Sequence, residues 1–236
     1  MRKRRSKFPI KIILAIFLPL AGIFFILFFS YNYLVTSDYF KVKEHEYFAG
    51  QSIFKVNLKE QAQRLSKLYS GYEKVILKRF LPNKIIVDFI PRQALALLML
   101  SDDFYVDRKG VLFQTVHQEI DDSYLPLIVG LEARIPYPRS GLKCNEDSLQ
   151  AILKFIHNLN NDSKLAEKIE IKEINLINVN DIFLFTINDC KINLGSAESL
   201  DKDLLILQRL ISEINSDLDK IEYIDLRFRE PVVKYK

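Results

Sequence analysis

The hydrophobic residues of this chain concentrate first in one long run near the N-terminus. From Ile12 to Phe29 no residue is charged, and the sequence reads IILAIFLPLAGIFFILFF. As an α-helix, the segment from Ile12 to Val35 would be about 36 Å long, enough to cross a hydrocarbon core of about 30 Å. Pro19 and Gly22 would weaken a helix in water, but both are tolerated in membrane helices. The pattern therefore predicts a transmembrane helix over residues 12–35.

Two other interpretations of this run compete with the membrane helix. A cleavable signal peptide has a shorter apolar core of about 7–15 residues that ends in small residues, whereas this run continues into Ser30-Tyr31-Asn32-Tyr33. A buried helix of a soluble domain would have to be apolar on every face. Tyr31 and Tyr33 stand where an interfacial aromatic belt is expected, which favours the membrane helix.

Charge gives this helix an orientation. Six of the 34 basic residues precede it without any acidic residue, at Arg2, Lys3, Arg4, Arg5, Lys7 and Lys11. The positive-inside rule then predicts a cytoplasmic basic tail over residues 1–11 and an extracytoplasmic location after about residue 36. The remaining chain has 28 basic residues against 30 acidic ones. The net charge of +4 therefore reflects membrane orientation and gives no support to nucleic-acid binding.

Beyond the span, the apolar and polar positions predict a small β-α-β-β module. The alternating segment Asp38–Lys43 indicates a strand. Asn57-Leu58-Lys59-Glu60 has the spacing of a capping box, and the helix that follows has apolar residues on one face. The β-rich runs Val75–Leu77 and Ile85–Phe89 are joined across Pro82-Asn83, which are typical turn residues.

The rest of the chain alternates short strands with two amphipathic helices. The continuous apolar run Ala94–Leu100 indicates a buried strand, and a domain boundary is expected near residues 92–98. The first helix is predicted from the stripe Leu149, Ile152, Leu153 and Ile156, and the second from Leu200, Leu204, Leu207, Ile211 and Ile214. Further strands are predicted at Ile169–Leu176, Ile182–Ile187, Lys191–Leu194, Ile221–Phe228 and Val232–Tyr235. The predicted fold class is α+β, with a mostly antiparallel sheet in this second domain.

Few residues of the chain are suited to catalysis or metal binding. The three histidines are scattered along the sequence, at His45, His117 and His157. No HExxH, GxSxG or Gly-rich phosphate loop is present. The pairs Asp102-Asp103 and Asp121-Asp122 are typical of solvated turns. Cys144 and Cys190 either pair outside the cytoplasm or remain two buried thiols. We therefore expect no catalytic residue, cofactor, metal ion or small-molecule substrate.

The last predicted strand offers a surface for binding another protein. Residues 228–235 read FREPVVKY, and a strand at a sheet edge has unpaired N–H and C=O groups that another chain can extend by β-augmentation. The other interpretation is an ordinary edge strand, in which Pro231 and Lys234 discourage pairing. The residues alone leave both interpretations open.

A series of segments behind the single span makes the chain similar to the bacterial cell-division family FtsQ/DivIB. In order, they are Tyr39-Phe40-Lys41-Val42, Phe80–Val87, Tyr105-Val106-Asp107 with Gly110–Phe113, Leu125–Gly130, Ile192–Gly195 and Tyr223–Phe228. In that family a cytoplasmic tail and one span lead into a POTRA domain and then a β domain. The resemblance implies a POTRA-like domain over residues 37–97 and a β domain with a C-terminal edge strand over residues 98–236.

This resemblance also implies a function and two binding sites. It implies a non-enzymatic scaffold of the divisome, located in the cytoplasmic membrane at the septum, that supports septum assembly. The C-terminal edge would receive a segment of an FtsB/DivIC-like protein, itself complexed with an FtsL-like protein, and the matching residues are Phe228, Glu230, Val232, Val233 and Tyr235. Recruitment by other divisome proteins would involve the POTRA-like domain, by position at Tyr39, Phe40 and Val42. Core packing is the other interpretation of these three residues.

Two alternative functions compete with the scaffold. A POTRA-containing export or assembly component would resemble this chain only in the first module and usually continues into a β-barrel. A membrane-anchored cell-wall hydrolase would need catalytic residues that the sequence does not display.

Overall fold

The computed structural model describes residues 10–44, 47–115, 120–214 and 218–236, with side chains from residue 17 onward. Most of the predicted cytoplasmic tail, together with His45 and His117, lies outside the described residues. The chain divides into two compact units. The first contains the chain up to Leu65 and Val75–Asp88, and the second contains Ser66–Lys74 and Phe89–Lys236.

The N-terminal helix α1 covers Ile10–Thr36, so that the helix predicted over residues 12–35 is confirmed. Within it, Phe17–Thr36 is the one segment of the described chain that is long and apolar enough to cross a membrane. Twenty residues correspond to about 30 Å of helix, which matches the hydrocarbon thickness of a bilayer. Almost all of its side chains are exposed in the isolated chain, as expected for a helix that packs against lipid.

The rest of the first unit contains a short 3₁₀ helix at Asp38–Phe40, the helix α2 (Leu58–Leu68) up to Leu65, and the Val75–Asp88 part of a hairpin of β1 (Tyr72–Phe80) and β2 (Lys84–Pro91). Asn57 and Glu60 form the predicted cap, because the Glu60 N–H donates to Asn57 Oδ1 at 3.3 Å. Apart from Ser52, the buried side chains described in this unit are apolar and are those of Val35, Val42, Phe48, Ile53, Val56, Leu65, Val75, Leu77 and Ile85.

The structure corrects the strand predicted at residues 38–43. Ser37 caps the 3₁₀ helix, because its Oγ accepts from the Tyr39 N–H at 3.3 Å and its carbonyl accepts from the Phe40 N–H at 3.1 Å. Only Lys41 has a β-type partner, in an isolated antiparallel bridge to Ser52. The local hydrogen bonds to Ser37 therefore stabilise a 3₁₀ helix here, instead of the strand that the alternating side chains predicted.

In the residues that the structure describes, the second unit contains a nine-stranded sheet. In chain order its strands are β3 (Ala96–Met99), β4 (Asp103–Val106), β5 (Leu112–Phe113), β6 (Leu127–Val129), β7 (Ile171–Asn175), β8 (Ile182–Thr186), β9 (Lys191–Gly195), β10 (Ile221–Asp225) and β11 (Val232–Tyr235). Across the sheet their order is β11-β10-β9-β8-β7-β6-β3-β4-β5. The pairs β3–β6, β6–β7 and β9–β10 are parallel and the other five are antiparallel. The predicted α+β class with a mostly antiparallel sheet is confirmed.

In the described part of this unit, three α-helices and the 3₁₀ helix Leu218–Lys220 contribute to one apolar core with this sheet. The α-helices are α3 (Asp147–Asn161), α4 (Ser163–Lys168) and α5 (Leu200–Glu213). In β8, for example, Ile182 and Leu184 are buried in this core whereas Phe183 and Phe185 are half-buried. The predicted stripes of α3 and α5 are buried in this core, except that Ile214 is half-buried and follows the end of α5. The Glu146 side chain caps α3 by accepting from the Leu149 N–H. The short helix α4 comes directly before the strand predicted at Ile169–Leu176, in a segment for which the sequence predicted no element.

Candidate functional site

The strand β11 lies at one edge of the nine-stranded sheet. Within the described chain it pairs on one side only, antiparallel to β10, with the partners Asp225–Val232, Ile224–Val233, Tyr223–Lys234 and Ile221–Tyr235. Pro231 comes directly before the ladder, so that its missing N–H costs no hydrogen bond to β10. Along a strand, backbone N–H and C=O groups point alternately towards its two sides. Since β11 pairs with β10 on one side, the groups on its outer side are exposed to solvent.

A charged network fixes the turn that leads into β11. The Asp225 carboxylate, almost fully buried at the end of β10, accepts hydrogen bonds from the Arg227 N–H at 3.1 Å, Nε at 2.9 Å and Nη2 at 2.6 Å. Arg227 Nη1 also lies 3.1 Å from Asp181 Oδ1. The hydrogen bonds from Arg227 lower the pKa of Asp225, and those to Asp225 raise the pKa of Arg227. Both groups therefore remain charged at neutral pH.

Sequence reasoning missed this network, although Asp225 and Arg227 belong to the DLR segment that carried part of the resemblance. The segment was expected to be a strand up to Phe228, but the strand ends at Asp225. An Asp followed two residues later by an Arg is a signal for a side chain that closes a local turn. Asp181, which is distant in sequence, could not be found in this way.

The side chains predicted to bind a partner surround this edge. Phe228 and Glu230 are exposed in the loop between β10 and β11. Val232 is 43% exposed and Tyr235 is also exposed, whereas Val233 is half-buried and packs against the core. Val233 therefore contributes to the sheet, and the other four side chains are accessible to another protein. Their role in binding stays a prediction.

Lys234 lies next to a glutamate on the neighbouring strand. Its Nζ is 2.7 Å from Glu222 Oε2 and 5.8 Å from the centre of the Tyr223 ring. The hydrogen bond to Glu222 raises the pKa of Lys234. A paired lysine at this position discourages random edge-to-edge pairing but leaves the backbone of β11 uncovered.

The opposite edge of the sheet, at β5, is covered by another part of the same unit. The Leu112 N–H donates to the Leu142 carbonyl at 2.8 Å, and the Leu112 carbonyl accepts from the Gly141 N–H at 2.7 Å. Val111 forms an isolated antiparallel bridge to Lys143. The segment 141–143 thus occupies the position that an added strand would take.

The three residues predicted for recruitment lie in the first unit but differ in accessibility. Tyr39 is 62% exposed and Phe40 is half-buried. Val42 is 1% exposed, which fits the interpretation of core packing for that side chain. Only the two aromatic residues are accessible to another molecule, and their role in recruitment stays a prediction.

Four of the described side chains considered for catalysis or metal binding are buried or bonded to a near neighbour in sequence. Cys144 and Cys190 are unpaired and buried, and burial raises the pKa of Cys144 and raises that of Cys190 to about 11. His157 bonds to Asn161 at 2.9 Å, and Asp121 bonds to Ser123 in its own turn. Among the residues described, no three His, Cys, Asp or Glu side chains group to hold a metal ion.

Comparison with known proteins agrees with the features described above. Residues 96–227 match the family described as "Cell division protein FtsQ/DivIB, C-terminal". A relative from Geotalea daltonii (strain DSM 22248 / JCM 15807 / FRC-32), named "Cell division protein FtsQ", is 27% identical over 191 residues, which cover 79% of this chain and 66% of the relative. A relative of the same name from Geobacter sp. (strain M21) is 29% identical over 189 residues, with the same coverage. The chain thus spans about two thirds of the length of these curated relatives.

Proposed function

The chain belongs to the FtsQ/DivIB family of cell-division proteins, and we propose that it acts in division as a non-enzymatic scaffold whose edge strand β11 binds another division protein. Among the described residues, one helix is long and apolar enough to cross a membrane, which supports a single-pass membrane protein. We further propose that the N-terminus lies in the cytoplasm and the folded units lie outside, at the septum. In this arrangement residues 37–97 form the POTRA-like domain and residues 98–236 the β domain.

The observation that carries this proposal is the uncovered backbone of β11. A partner strand added there would form main-chain hydrogen bonds along the four residues of β11. Val232, Tyr235, Phe228 and Glu230 would then contribute specificity around those bonds. We propose an FtsB/DivIC-like protein as the partner, held together with an FtsL-like protein, because the resemblance implies this segment for that contact.

A pair of matched variants tests the proposal. The full chain is co-expressed with FtsB/DivIC-like and FtsL-like proteins of the same organism, and their affinity is measured after purification in detergent. Val232→Lys should weaken binding by about ten-fold or more, equivalent to about 1.4 kcal/mol, because it places a charge on the contact surface. Val179→Lys is the control, since Val179 is 37% exposed in a loop of the same unit, between β7 and β8.

The outcomes are distinguishable. Wild-type affinity for Val232→Lys, with unchanged unfolding for both variants, would contradict binding at β11. In cells depleted of the native protein, Val232→Lys should cause filamentation whereas Val179→Lys should support septation. Turnover of peptidoglycan by the purified full chain would contradict the non-enzymatic role.

A further inference from the structure

The end of the membrane helix is packed into the folded part of the first unit. Val35, in the last turn of α1, is only 7% exposed, whereas its helix neighbours Tyr31 and Tyr33 are largely exposed. Since Phe17–Thr36 already accounts for about 30 Å of apolar helix, Val35 lies close to the outer boundary of the hydrocarbon region. The residues that cover Val35 must therefore lie at the level of the membrane surface.

The chain that leaves the helix is hydrogen-bonded almost continuously. The Ser37 N–H donates to the Tyr33 carbonyl at 3.0 Å, and the Phe40 carbonyl accepts from the Ile53 N–H at 2.9 Å. Backbone N–H groups also donate from Tyr39, Phe40, Lys41, Val42 and Lys43. The unit thus follows the helix without a flexible spacer, and its nearest residues are held near the lipid headgroups.

An aromatic cluster occupies this position. Tyr39 and Phe40 are in edge-to-face contact at 5.1 Å between ring centres, and Phe40 and Phe54 are 5.3 Å apart. Tyr39 and Phe54 are both exposed despite their large apolar surfaces. We name these three residues the juxtamembrane aromatic cluster. Aromatic side chains, tyrosine above all, are enriched at the level of lipid headgroups, where one part of the ring is wet and another is apolar.

Charged residues around the cluster fit the same environment. Asp38 is almost fully exposed and lies 2.5 Å from Lys41 Nζ. Its bond to Lys41 lowers the pKa of Asp38, so that this residue is ionised and belongs in the polar headgroup layer. Lys43 and Lys55 are exposed as well, and long lysine side chains can reach lipid phosphates while their stems pack on apolar groups.

We propose that the juxtamembrane aromatic cluster lies in the outer headgroup region of the membrane that α1 crosses and holds the first unit against the lipid surface. The proposal goes beyond partner binding at β11 and does not depend on it. Lipid is favoured over a protein ligand because Tyr39 is three residues from the end of α1 and the fold brings Phe54 to the same place.

Tryptophan fluorescence tests this proposal directly, because the chain contains no tryptophan. The full chain is prepared as Tyr39→Trp, Phe54→Trp and Tyr137→Trp variants and reconstituted without partners in vesicles of phosphatidylcholine and phosphatidylglycerol. Part of the phosphatidylcholine is brominated, either near the headgroup end of the acyl chains or near their methyl end. Phe54→Trp is the decisive variant, since Phe54 is far from α1 in sequence.

Lipid brominated near the headgroup end should quench the fluorescence of both cluster variants several-fold more than that of the Tyr137→Trp control. In both cluster variants, bromine near the methyl end should quench less than bromine near the headgroup end. They should also be protected from iodide in the surrounding water. Tyr137 is 86% exposed in a loop of the second unit and serves as the solvent reference. Tyr33→Trp, within α1, confirms correct insertion. Tyr39 is exposed, so that the Tyr39→Trp variant should unfold like the wild type even if Phe54→Trp does not.

The proposal is overturned if the Tyr39→Trp and Phe54→Trp variants are quenched by iodide as strongly as Tyr137→Trp and are insensitive to brominated lipid. It is equally overturned if protection appears only after division proteins are added, because the cluster would then bind protein. Neither result bears on β11, and loss of partner binding in Val232→Lys leaves the lipid result unchanged.

Discussion

The two edges of the nine-stranded sheet differ in what their outer backbone groups contact. At β5, the outer N–H and C=O groups of Leu112 are bonded to Leu142 and Gly141 of the same unit. At β11, no described strand or segment follows on the outer side. Both edges end the same sheet, but the part of the chain that the structure describes covers only one of them.

Covering β5 requires several specific residues. The Asp107 carboxylate accepts from the N–H groups of Lys109 and Val111 at 2.9 and 2.8 Å and pairs with Arg92. Gly110 has a φ of +75°, and a Cβ there would lie 2.9 Å from the Cys144 carbonyl oxygen, so that the close approach requires glycine. The open edge has instead a fixed turn, a preceding proline and a paired lysine. The proline and the paired lysine disfavour random pairing at β11, while its outer backbone groups have no partner among the described strands.

Hydrogen exchange should show the largest contrast between the edges. Amides of residues 110–114 should exchange orders of magnitude more slowly than the outer amides of residues 232–235. The hydrogen bonds of the covered amides break only when a larger part of the unit unfolds. Mass spectrometry of the full chain in detergent measures both. Addition of the partner should slow exchange in residues 232–235 alone. Slow exchange there without a partner would contradict an open edge.

Removal of the Arg92 side chain should destabilise the covered edge most. Arg92 and Asp107 side chains are 11% and 8% exposed, and Arg92→Met leaves the aspartate charge buried without its cation. The free energy of unfolding should fall by about 3 kcal/mol, as measured by denaturant titration of the full chain. Arg108→Met is the control, because Arg108 is exposed in the same turn, and it should change the value by less than about 0.5 kcal/mol. Equal effects would show that the pair does not stabilise this edge.

Removal of the Arg227 side chain should have a smaller and pH-dependent effect at the open edge. Arg227 is 42% exposed, so that solvent screens part of its interaction with Asp225, and Arg227→Met should cost about 1–2 kcal/mol at pH 7. The pKa of Asp225 is lowered in the folded protein, and the usual value in an unfolded chain is about 3.9. Its stabilising contribution is therefore present above about pH 4 and is lost as the pH falls further.

The difference in unfolding free energy between Arg227→Met and the wild type should thus be constant from neutral pH down to about pH 5 and shrink below about pH 4. Arg229→Met, an exposed arginine in the same loop, should show no such dependence. A difference that stays constant down to pH 3 would contradict the role of Asp225.

Removal of the Lys234 charge should affect stability least. Lys234 and Glu222 are both exposed, and ion pairs in water contribute little. Lys234→Ala should therefore leave the unfolding midpoint unchanged but increase self-association, since an uncharged edge pairs more readily. Analytical ultracentrifugation measures the self-association. An unchanged monomer fraction would show that Lys234 does not prevent edge-to-edge pairing.

Sequence reasoning identified features that depend on local patterns. The apolar run of α1, the cap formed by Asn57 and Glu60, and the stripes of α3 and α5 depend on spacing within one element, and the structure confirms them. The strand predicted at residues 38–43 was wrong because Ser37 supplies a local hydrogen bond that an alternating pattern does not reveal.

The candidate site could be located but not described from sequence. Position and composition suggested that β11 is an edge strand, and its pairing with β10 alone agrees with this. Whether Val233 or Val232 faces the core depends on register, which comes from the partner strand. The bond between Arg227 and Asp181 and the cover of β5 by residues 141–143 join distant parts of the chain, and no local pattern specifies such contacts.

The burial of Val35 has a mechanical consequence for the first unit. A membrane that is thicker or thinner than the apolar length of α1 is accommodated by a change in helix tilt. Because hydrogen bonds continue from Tyr33 through Lys43, the rest of the unit would tilt together with the helix. Within this described segment there is no flexible linker between them that could bend instead. Bilayer thickness would thereby set the angle at which the first unit stands on the membrane.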